Sequence, residues 1–336
     1  MSQVSIIVPV YNAGNNLYKL NESLVAQTYE DIEIIYVNDG SRDNSLEILQ
    51  SFAQTDERIK VIDQVNMGGS AARNTGLNAA NGEFLYFCDA DDYIELDTIE
   101  KLYIAAKKNQ ADIVICNYRD VAPNGEVVRE NRKASIFKGQ NVTENPEILF
   151  LKPAVWNKLF KKALFTDAEI LFKDTRIGQD LSTTLRLLIG AKKIIGIPDV
   201  LYNYVLHDNT ISRSYDKRIL DTIKALNIIK DFYESKNVYE IYQEEFEFIA
   251  IQNILYQMTK IPLLKSDKKE IYQKLTGYLN QFPNLKQNKY LKRSLIYRVV
   301  FMTFTTGWIF NNVLTQQSIK FVNTSPLVYK LLRKLD

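Results

Sequence analysis

Short β-branched and aromatic runs alternate with helix-period segments through the first hundred residues, and this rhythm restricts the fold more than any other feature of the chain. Val4 to Val10 reads as a strand, Leu17 to Gln27 as a helix and Asp31 to Val37 as a second strand. A helix from Asn44 to Thr55, a strand from Ile59 to Asp63 and a helix from Ser70 to Ala80 follow. Phe84 to Cys88 is the next strand, Ile94 to Asn109 the next helix, and Ile113 to Tyr118 a further strand. Repeated strand and helix units of this length build a parallel sheet covered on both faces.

Proline and glycine thicken between Ala122 and Pro146, which predicts an irregular or hairpin segment rather than another α/β repeat. A mixed region runs on to about Arg213. Beyond it, Leu220 to Ser235, Glu244 to Thr259, Lys268 to Leu279 and Leu291 to Val313 carry apolar residues at three- and four-residue spacing. The chain of 336 residues therefore divides into an α/β domain over 1–215 and a helical domain over 216–336.

The net charge of +2 conceals an asymmetry. From Lys260 to Asp336 there are 14 Lys and Arg against 3 Asp and Glu, so the helical end is strongly basic and the remainder acidic. Val299 to Ile319 carries no formal charge and is long enough to span a bilayer, but its threonines, asparagines and glutamines make it too polar to do so. A surface-lying or core helix fits it better. Docking on anionic lipid, acceptor binding and homodimer contacts are the roles such a basic helical domain can take. Cys88 and Cys116 each sit in an apolar run and read as buried thiols of a reducing compartment. No basic stretch or cleavage signature precedes Val4, which predicts a cytoplasmic protein, peripheral at the inner face of the membrane if the basic domain docks there. There is no recognised nucleic-acid motif.

In an open α/β sheet, ligands bind where strands end and helices begin. Three such places are polar here: Tyr11-Asn12-Ala13-Gly14 after the first strand, Asn38-Asp39-Gly40-Ser41 after the second, and Asp89-Ala90-Asp91-Asp92 after Phe84 to Cys88. Three carboxylates within four residues repel one another unless a cation joins them. A solvated, helix-capping turn and a Mg²⁺ or Mn²⁺ site are the two readings of that cluster, and such ions usually also hold substrate phosphates.

Five segments in order add weight to the second. Val4-Ser5-Ile6-Ile7-Val8-Pro9-Val10-Tyr11-Asn12, Val37-Asn38-Asp39-Gly40-Ser41, Gly69-Ser70-Ala71-Ala72-Arg73-Asn74-Thr75-Gly76, Asp89-Ala90-Asp91-Asp92 and Trp156-Asn157-Lys158-Leu159-Phe160 resemble the family 2 glycosyltransferases of the GT-A fold over about residues 3–213. That fold is a Rossmann-like mixed sheet flanked by helices. The resemblance implies that Pro9 and Tyr11 line a base pocket, that Asp39 accepts a hydrogen bond from a uracil imide, and that Arg73 offsets diphosphate charge. It makes Asp89 the ribose-side carboxylate and Asp91 the direct ligand of Mn²⁺ or Mg²⁺, while Asp92 orders the loop. His207, the only histidine, stands where similar enzymes close a second ligand onto the metal; otherwise it is a surface loop residue.

Asp180 matches the family's general base, in Arg176-Ile177-Gly178-Gln179-Asp180-Leu181, although an Asp before an apolar helix is also a normal helix start. Gln179 departs from the Glu usual at its position. Trp156 is expected to offer its ring to an acceptor sugar, with Asn157 and Lys158 as polar contacts, a core Trp being the other reading. The implied reaction is an inverting transfer of a hexose or N-acetylhexosamine from a UDP-sugar to a hydroxyl of a bacterial surface glycan, lipid-linked oligosaccharide or glycosylated adhesin. A catalytically inactive nucleotide-binding subunit and a sugar-phosphate nucleotidyltransferase are the competing readings. The intact Asp91 and Asp180 count against the first, and the absence of a Gly-rich loop after the first strand counts against the second and against a dinucleotide-dependent dehydrogenase.

Overall fold

A computed structural model describes residues 2–134, 137–207, 216–295, 297–298 and 301–302. The chain forms two compact units, Met1–Ile148 with Pro153–Asp174 and Gln179–Asp208, and Leu149–Lys152 with Thr175–Gly178 and Asn209–Asp336. The second unit thus takes in two short segments that the sequence reading assigns to the first.

In the first unit β1 (Val4–Val10) lies between β2 (Ile32–Asp39) and β4 (Phe84–Phe87), parallel to both, with β3 (Ile59–Gln64) parallel beyond β2. Six of the seven side chains of β1 are buried, as a strand covered on both faces requires. The helices α1 (Asn16–Val25), α2 (Ser45–Thr55) and α3 (Gly69–Ala79) make the crossovers. Close approach of α3 to β1 explains a glycine in the third motif, because a Cβ on Gly76 would collide with the Ile7 side chain and touch Val37 at 3.4 Å. After β3 the chain returns across β1 to form β4. The connections on either side of β1 therefore leave in opposite directions, which opens a crevice at the carboxyl ends of β1 and β4.

Past β4 the sheet is mixed, as the GT-A resemblance implies. The full order is β3-β2-β1-β4-β9-β6-β10-β5, with β6 (Ile113–Val121), β9 (Lys158–Lys161), β10 (Ile194–Val205) and β5 (Tyr93–Ile94); β7 (Val127–Asn131) pairs with β6 and β8 (Lys138–Gln140) with β10. β9 runs antiparallel between β4 and β6, and β10 parallel to β6. Here the structure corrects the sequence reading. The expected helix from Ile94 starts only at Thr98, as α4 (Thr98–Asn109), because Tyr93 and Ile94 pair with Asn203 and Tyr202 on β10. A short apolar run does not reveal whether it will join a sheet 100 residues away. Between β9 and β10 lie α5 (Ala163–Thr166) and α6 (Gln179–Gly190).

The second unit is helical, with α7 (Asp221–Ser235), α8 (Gln243–Met258), α9 (Lys268–Leu279) and α10 (Lys289–Arg293). α8 is buried almost all round, including Phe246 to Ile251 without a break, so it is the core on which the others pack. α9 buries one face only, through Ile271, Leu275, Tyr278 and Leu279. The buried Glu245 of α8 accepts from Tyr290 at 2.5 Å and pairs with Lys289 at 3.0 Å, and Asn288 caps α10 through the amides of Tyr290 and Leu291. The expected helix from Leu291 to Val313, and the uncharged run within it, lie mostly outside the described residues. Among the described residues no helix is long and apolar enough to cross a membrane.

Candidate active site

The polar residues at the carboxyl edge of the sheet are tied to one another before any ligand arrives. After β1, Asn12 adopts the left-handed region at φ 49° and accepts from the Arg42 amide at 2.8 Å, while its own amide donates to Ser41 Oγ at 3.0 Å. The amides of Ala13 and Gly14 both donate to Ser45 Oγ at 3.0 Å. These bonds fasten the loop after β1 to the loop after β2. Pro9 is partly exposed at the end of β1, and the Tyr11 ring is 49% exposed beside it, free to stack on a flat ligand.

Asp39 closes β2 and is buried. Its Oδ1 accepts from Gln64 Nε2 at 2.7 Å and from the Met67 amide at 2.9 Å, and its Oδ2 from the Gly68 amide at 2.8 Å. An ionised carboxylate has about four acceptor sites. Three are filled by this chain, which leaves capacity for one further donor of the uracil imide type. Gly40 follows at φ +65° with Asn66 N 2.7 Å from where a Cβ would stand, so only glycine fits.

The second group surrounds one cation. Arg73 of α3, nearly buried, donates through Nη2 to Asp89 Oδ1 at 2.7 Å and through Nη1 to Gln179 Oε1 at 2.9 Å. Its Nε is buried without an acceptor among the described residues. Asp180, next to Gln179 at the start of α6, is pushed above the ordinary aspartate range chiefly by burial; Arg73 acts against the shift and Asp89 with it. The Val155 amide and the Lys158 ammonium also favour its ionised form. A carboxyl group so poised is a better proton acceptor near neutral pH than an exposed aspartate.

In the third group, Asp91 and His207 face each other with His207 Nε2 3.7 Å from Asp91 Oδ2. That nitrogen is buried and has no hydrogen-bond partner among the described residues. Burial, then Asp89, raises the Asp91 pKa, and a cation reverses both effects. An orphaned imidazole nitrogen beside a carboxylate in need of positive charge fits one side of a Mg²⁺ or Mn²⁺ shell, whose remaining places such ions fill with water and substrate phosphate. No cluster of three or more His, Cys, Asp or Glu among the described residues makes a complete protein cage.

Asp92 does order its loop, by a means invisible in the sequence. Its Oδ2 accepts from Tyr202 at 2.6 Å and its Oδ1 from the Val205 amide at 2.7 Å, which binds the acidic loop to the end of β10, two residues before His207. Asn74 is a second residue whose task was not legible: its side chain donates to the Phe172 carbonyl at 2.9 Å and accepts from the Phe172 amide at 2.8 Å. A polar residue on the buried side of a helix was the available signal for it.

Trp156, Asn157 and Lys158 require correction. The Trp156 ring is 4% exposed and stacks on Tyr202 at 4.4 Å and Tyr204 at 5.5 Å, so its faces are not offered to a sugar. Asn157 donates to the Cys116 carbonyl at 3.0 Å, and the fully buried Lys158 ammonium donates to the Ala154 carbonyl at 2.6 Å and to Asn157 Oδ1 at 2.8 Å. These three hold β9 in the sheet rather than reach an acceptor. Cys88 and Cys116 are free and buried, as expected.

Residues 5–167 match the family model described as glycosyl transferase family 2. Among curated relatives, the glycosyltransferase GlyG of Streptococcus pneumoniae is 31% identical over 297 residues, covering 75% of this chain and 95% of that protein. Glycosyltransferase GlyA of the same species is 30% identical over 344 residues and covers 91% of this chain, which spans only 49% of GlyA. Among solved structures, S. aureus TarS 1–349 in complex with UDP-GlcNAc superposes with a TM-score of 0.57 over 99% of this chain and 88% of that one, at 21% identity. The mixed sheet with its flanking helices is thus the GT-A glycosyltransferase fold. The chain belongs to glycosyl transferase family 2 and is a transferase enzyme.

Proposed function

We propose that the chain is an inverting, metal-dependent glycosyltransferase that moves a hexose or N-acetylhexosamine from a UDP-sugar to a hydroxyl of a bacterial surface glycan, lipid-linked oligosaccharide or glycosylated adhesin. The observation that carries the reading is the placement of Asp180 at the start of α6 beside Gln179, which accepts from Arg73 at 2.9 Å while Arg73 donates to Asp89 at 2.7 Å; burial, which raises the Asp180 pKa, agrees with it. Asp180 takes the proton of the acceptor hydroxyl while that oxygen attacks the anomeric carbon from the face opposite the diphosphate. The bond from that carbon to the diphosphate oxygen breaks, and its electron pair leaves with UDP, so the configuration inverts.

Tyr11 and Asp39 bind the base, the first by its exposed ring and the second by its remaining acceptor capacity. Arg73 orients the diphosphate and offsets part of its charge. Asp91 and His207 would hold Mn²⁺ or Mg²⁺, which when bound neutralises charge growing on the departing diphosphate. The preference for uridine is supported by the UDP-GlcNAc bound to TarS, a fold relative. We assign the catalytic role to residues 1–215 and acceptor, membrane-surface or dimer contacts to the basic residues 216–336 on their composition. The decisive experiment measures UDP released from UDP-glucose, UDP-galactose and UDP-N-acetylhexosamines, with and without EDTA. Release that EDTA stops and Mn²⁺ restores is expected. Well-folded protein that takes up no nucleoside diphosphate in the presence of either metal would end the proposal.

A further inference from the structure

Gln64 closes β3 as the register partner of Asp39 on β2, and it is the only side chain among the described residues that donates to that carboxylate. The orientation of its amide follows from its neighbours. A carboxylate only accepts, so the atom 2.7 Å from Asp39 Oδ1 is the Gln64 nitrogen. The Gln64 oxygen then lies 2.7 Å from Thr75 Oγ1 on α3, and because a carboxamide oxygen also only accepts, the Thr75 hydroxyl is the donor. The bonds therefore run one way, from Thr75 through Gln64 to Asp39.

Asp39 Oδ1 receives both Gln64 and the Met67 amide, at 2.7 and 2.9 Å, so its two acceptor places are filled; Oδ2 receives the Gly68 amide at 2.8 Å and keeps one place. The carboxylate is thus limited to one further donor at one oxygen. Uracil brings a ring N–H at N3 to such a place. Cytosine brings a bare ring nitrogen there, whose lone pair meets that of the carboxylate, and carries an amino group on the neighbouring carbon instead. Without Gln64, Oδ1 regains an open place beside the one on Oδ2, and a carboxylate open at both oxygens can accept from the cytosine amino group.

We propose that Gln64, held in place by Thr75, is a positioning residue that sets the base selectivity of the site: by saturating Asp39 Oδ1 it leaves a single acceptor, which takes the imide N–H of uracil and turns cytosine away. This rests on the reading of the site as one for a uridine diphosphate sugar. The Met67 and Gly68 donors are backbone amides of the loop after β3, and Asn66 ties that loop to β2 by donating to the Asp39 carbonyl at 2.9 Å, so they remain when the side chain at 64 is changed. The third donor alone is set by side-chain identity.

The test measures UDP and CDP binding to the full chain by calorimetry in the presence of Mn²⁺, with thermal melts as a check of folding. The two ligands share ribose and diphosphate, so the ratio of their affinities reports on the base alone. Gln64→Met, which keeps the length of the side chain and loses the donor, is expected to weaken UDP and to lower the UDP to CDP ratio about tenfold or more. Thr75→Val, close to the wild type in shape, frees the amide to turn and should lower the ratio about threefold or more. Gln64→Lys restores a donor and should keep the ratio within about threefold of wild type. A purely structural role would weaken both ligands in proportion, and a proportional loss or none in Gln64→Met overturns the inference. So does an unchanged ratio in Thr75→Val, which decides the matter should the Met variant fail to fold, or a Lys variant as unselective as the Met variant. Wild-type protein that binds UDP and CDP alike overturns it too. Wild-type protein that binds neither ligand sinks the nucleotide-site reading itself; selective wild-type binding with a ratio that Gln64→Met leaves in place sinks this inference alone.

Discussion

The Tyr202 hydroxyl donates to Asp92 Oδ2 at 2.6 Å across 110 residues of sequence, and both groups are buried. The same phenolic oxygen lies 3.3 Å from the Asp89 amide, which donates to it, and the other Asp92 oxygen takes the Val205 amide. One phenol and one carboxyl group thereby join the loop bearing Asp89 and Asp91 to the strand that leads to His207. Removing the hydroxyl in Tyr202→Phe leaves buried partners unsatisfied and should cost about 1–3 kcal/mol in urea unfolding. It should also weaken Mn²⁺ uptake in the presence of UDP. Unchanged stability and unchanged uptake together would mean that the link orders nothing.

Asp180→Asn should lower turnover by about 10² to 10⁴, the range for loss of a general base, while UDP binding by calorimetry stays within a few-fold of wild type. Full activity in this variant would remove Asp180 from the mechanism.

The raised pKa of Asp180 has consequences for pH dependence. The base must be ionised, so kcat/KM should fall as pH drops through the folded-state pKa, above the position of an ordinary aspartate at 3.8. For stability the sign is opposite. A carboxyl group that binds its proton more tightly when folded contributes stability below its unfolded pKa and loses it as pH rises through the folded value. Asp180→Asn should therefore melt higher than wild type at neutral pH, with the difference vanishing in acid. A lower melting temperature at pH 7 would contradict the burial cost assigned to this group.

His207→Ala should weaken Mn²⁺ binding in the presence of UDP and leave the melting temperature of the metal-free protein unchanged, since Nε2 has no hydrogen-bond partner among the described residues to lose. Equal Mn²⁺ affinity for variant and wild type, by calorimetry or electron paramagnetic resonance, would return His207 to the role of a loop residue.

Gly76→Ala places a methyl against Ile7 where α3 meets β1. Overpacking of this kind costs about 1–3 kcal/mol, and the shift of α3 should carry Arg73 with it and weaken UDP as well. Denaturant unfolding that shows no loss would mean the two elements have slack between them.

The sequence by itself determined the α/β rhythm through β4, the three polar strand ends and the set of charged residues placed there, because period-two and helix-period patterns and turn residues are local properties. It also carried the family, since the motifs stand in order along the chain. What only the tertiary structure decided were the pairings between distant segments. Tyr93 and Ile94 became a strand because β10 lay beside them, and Trp156 became core because Tyr202 and Tyr204 took its faces. Gln179, a mere departure from expectation in the linear chain, acquired a partner in Arg73, 106 residues earlier. Residue identity states what a side chain can donate or accept, but the partner it meets is fixed by the closure of the sheet.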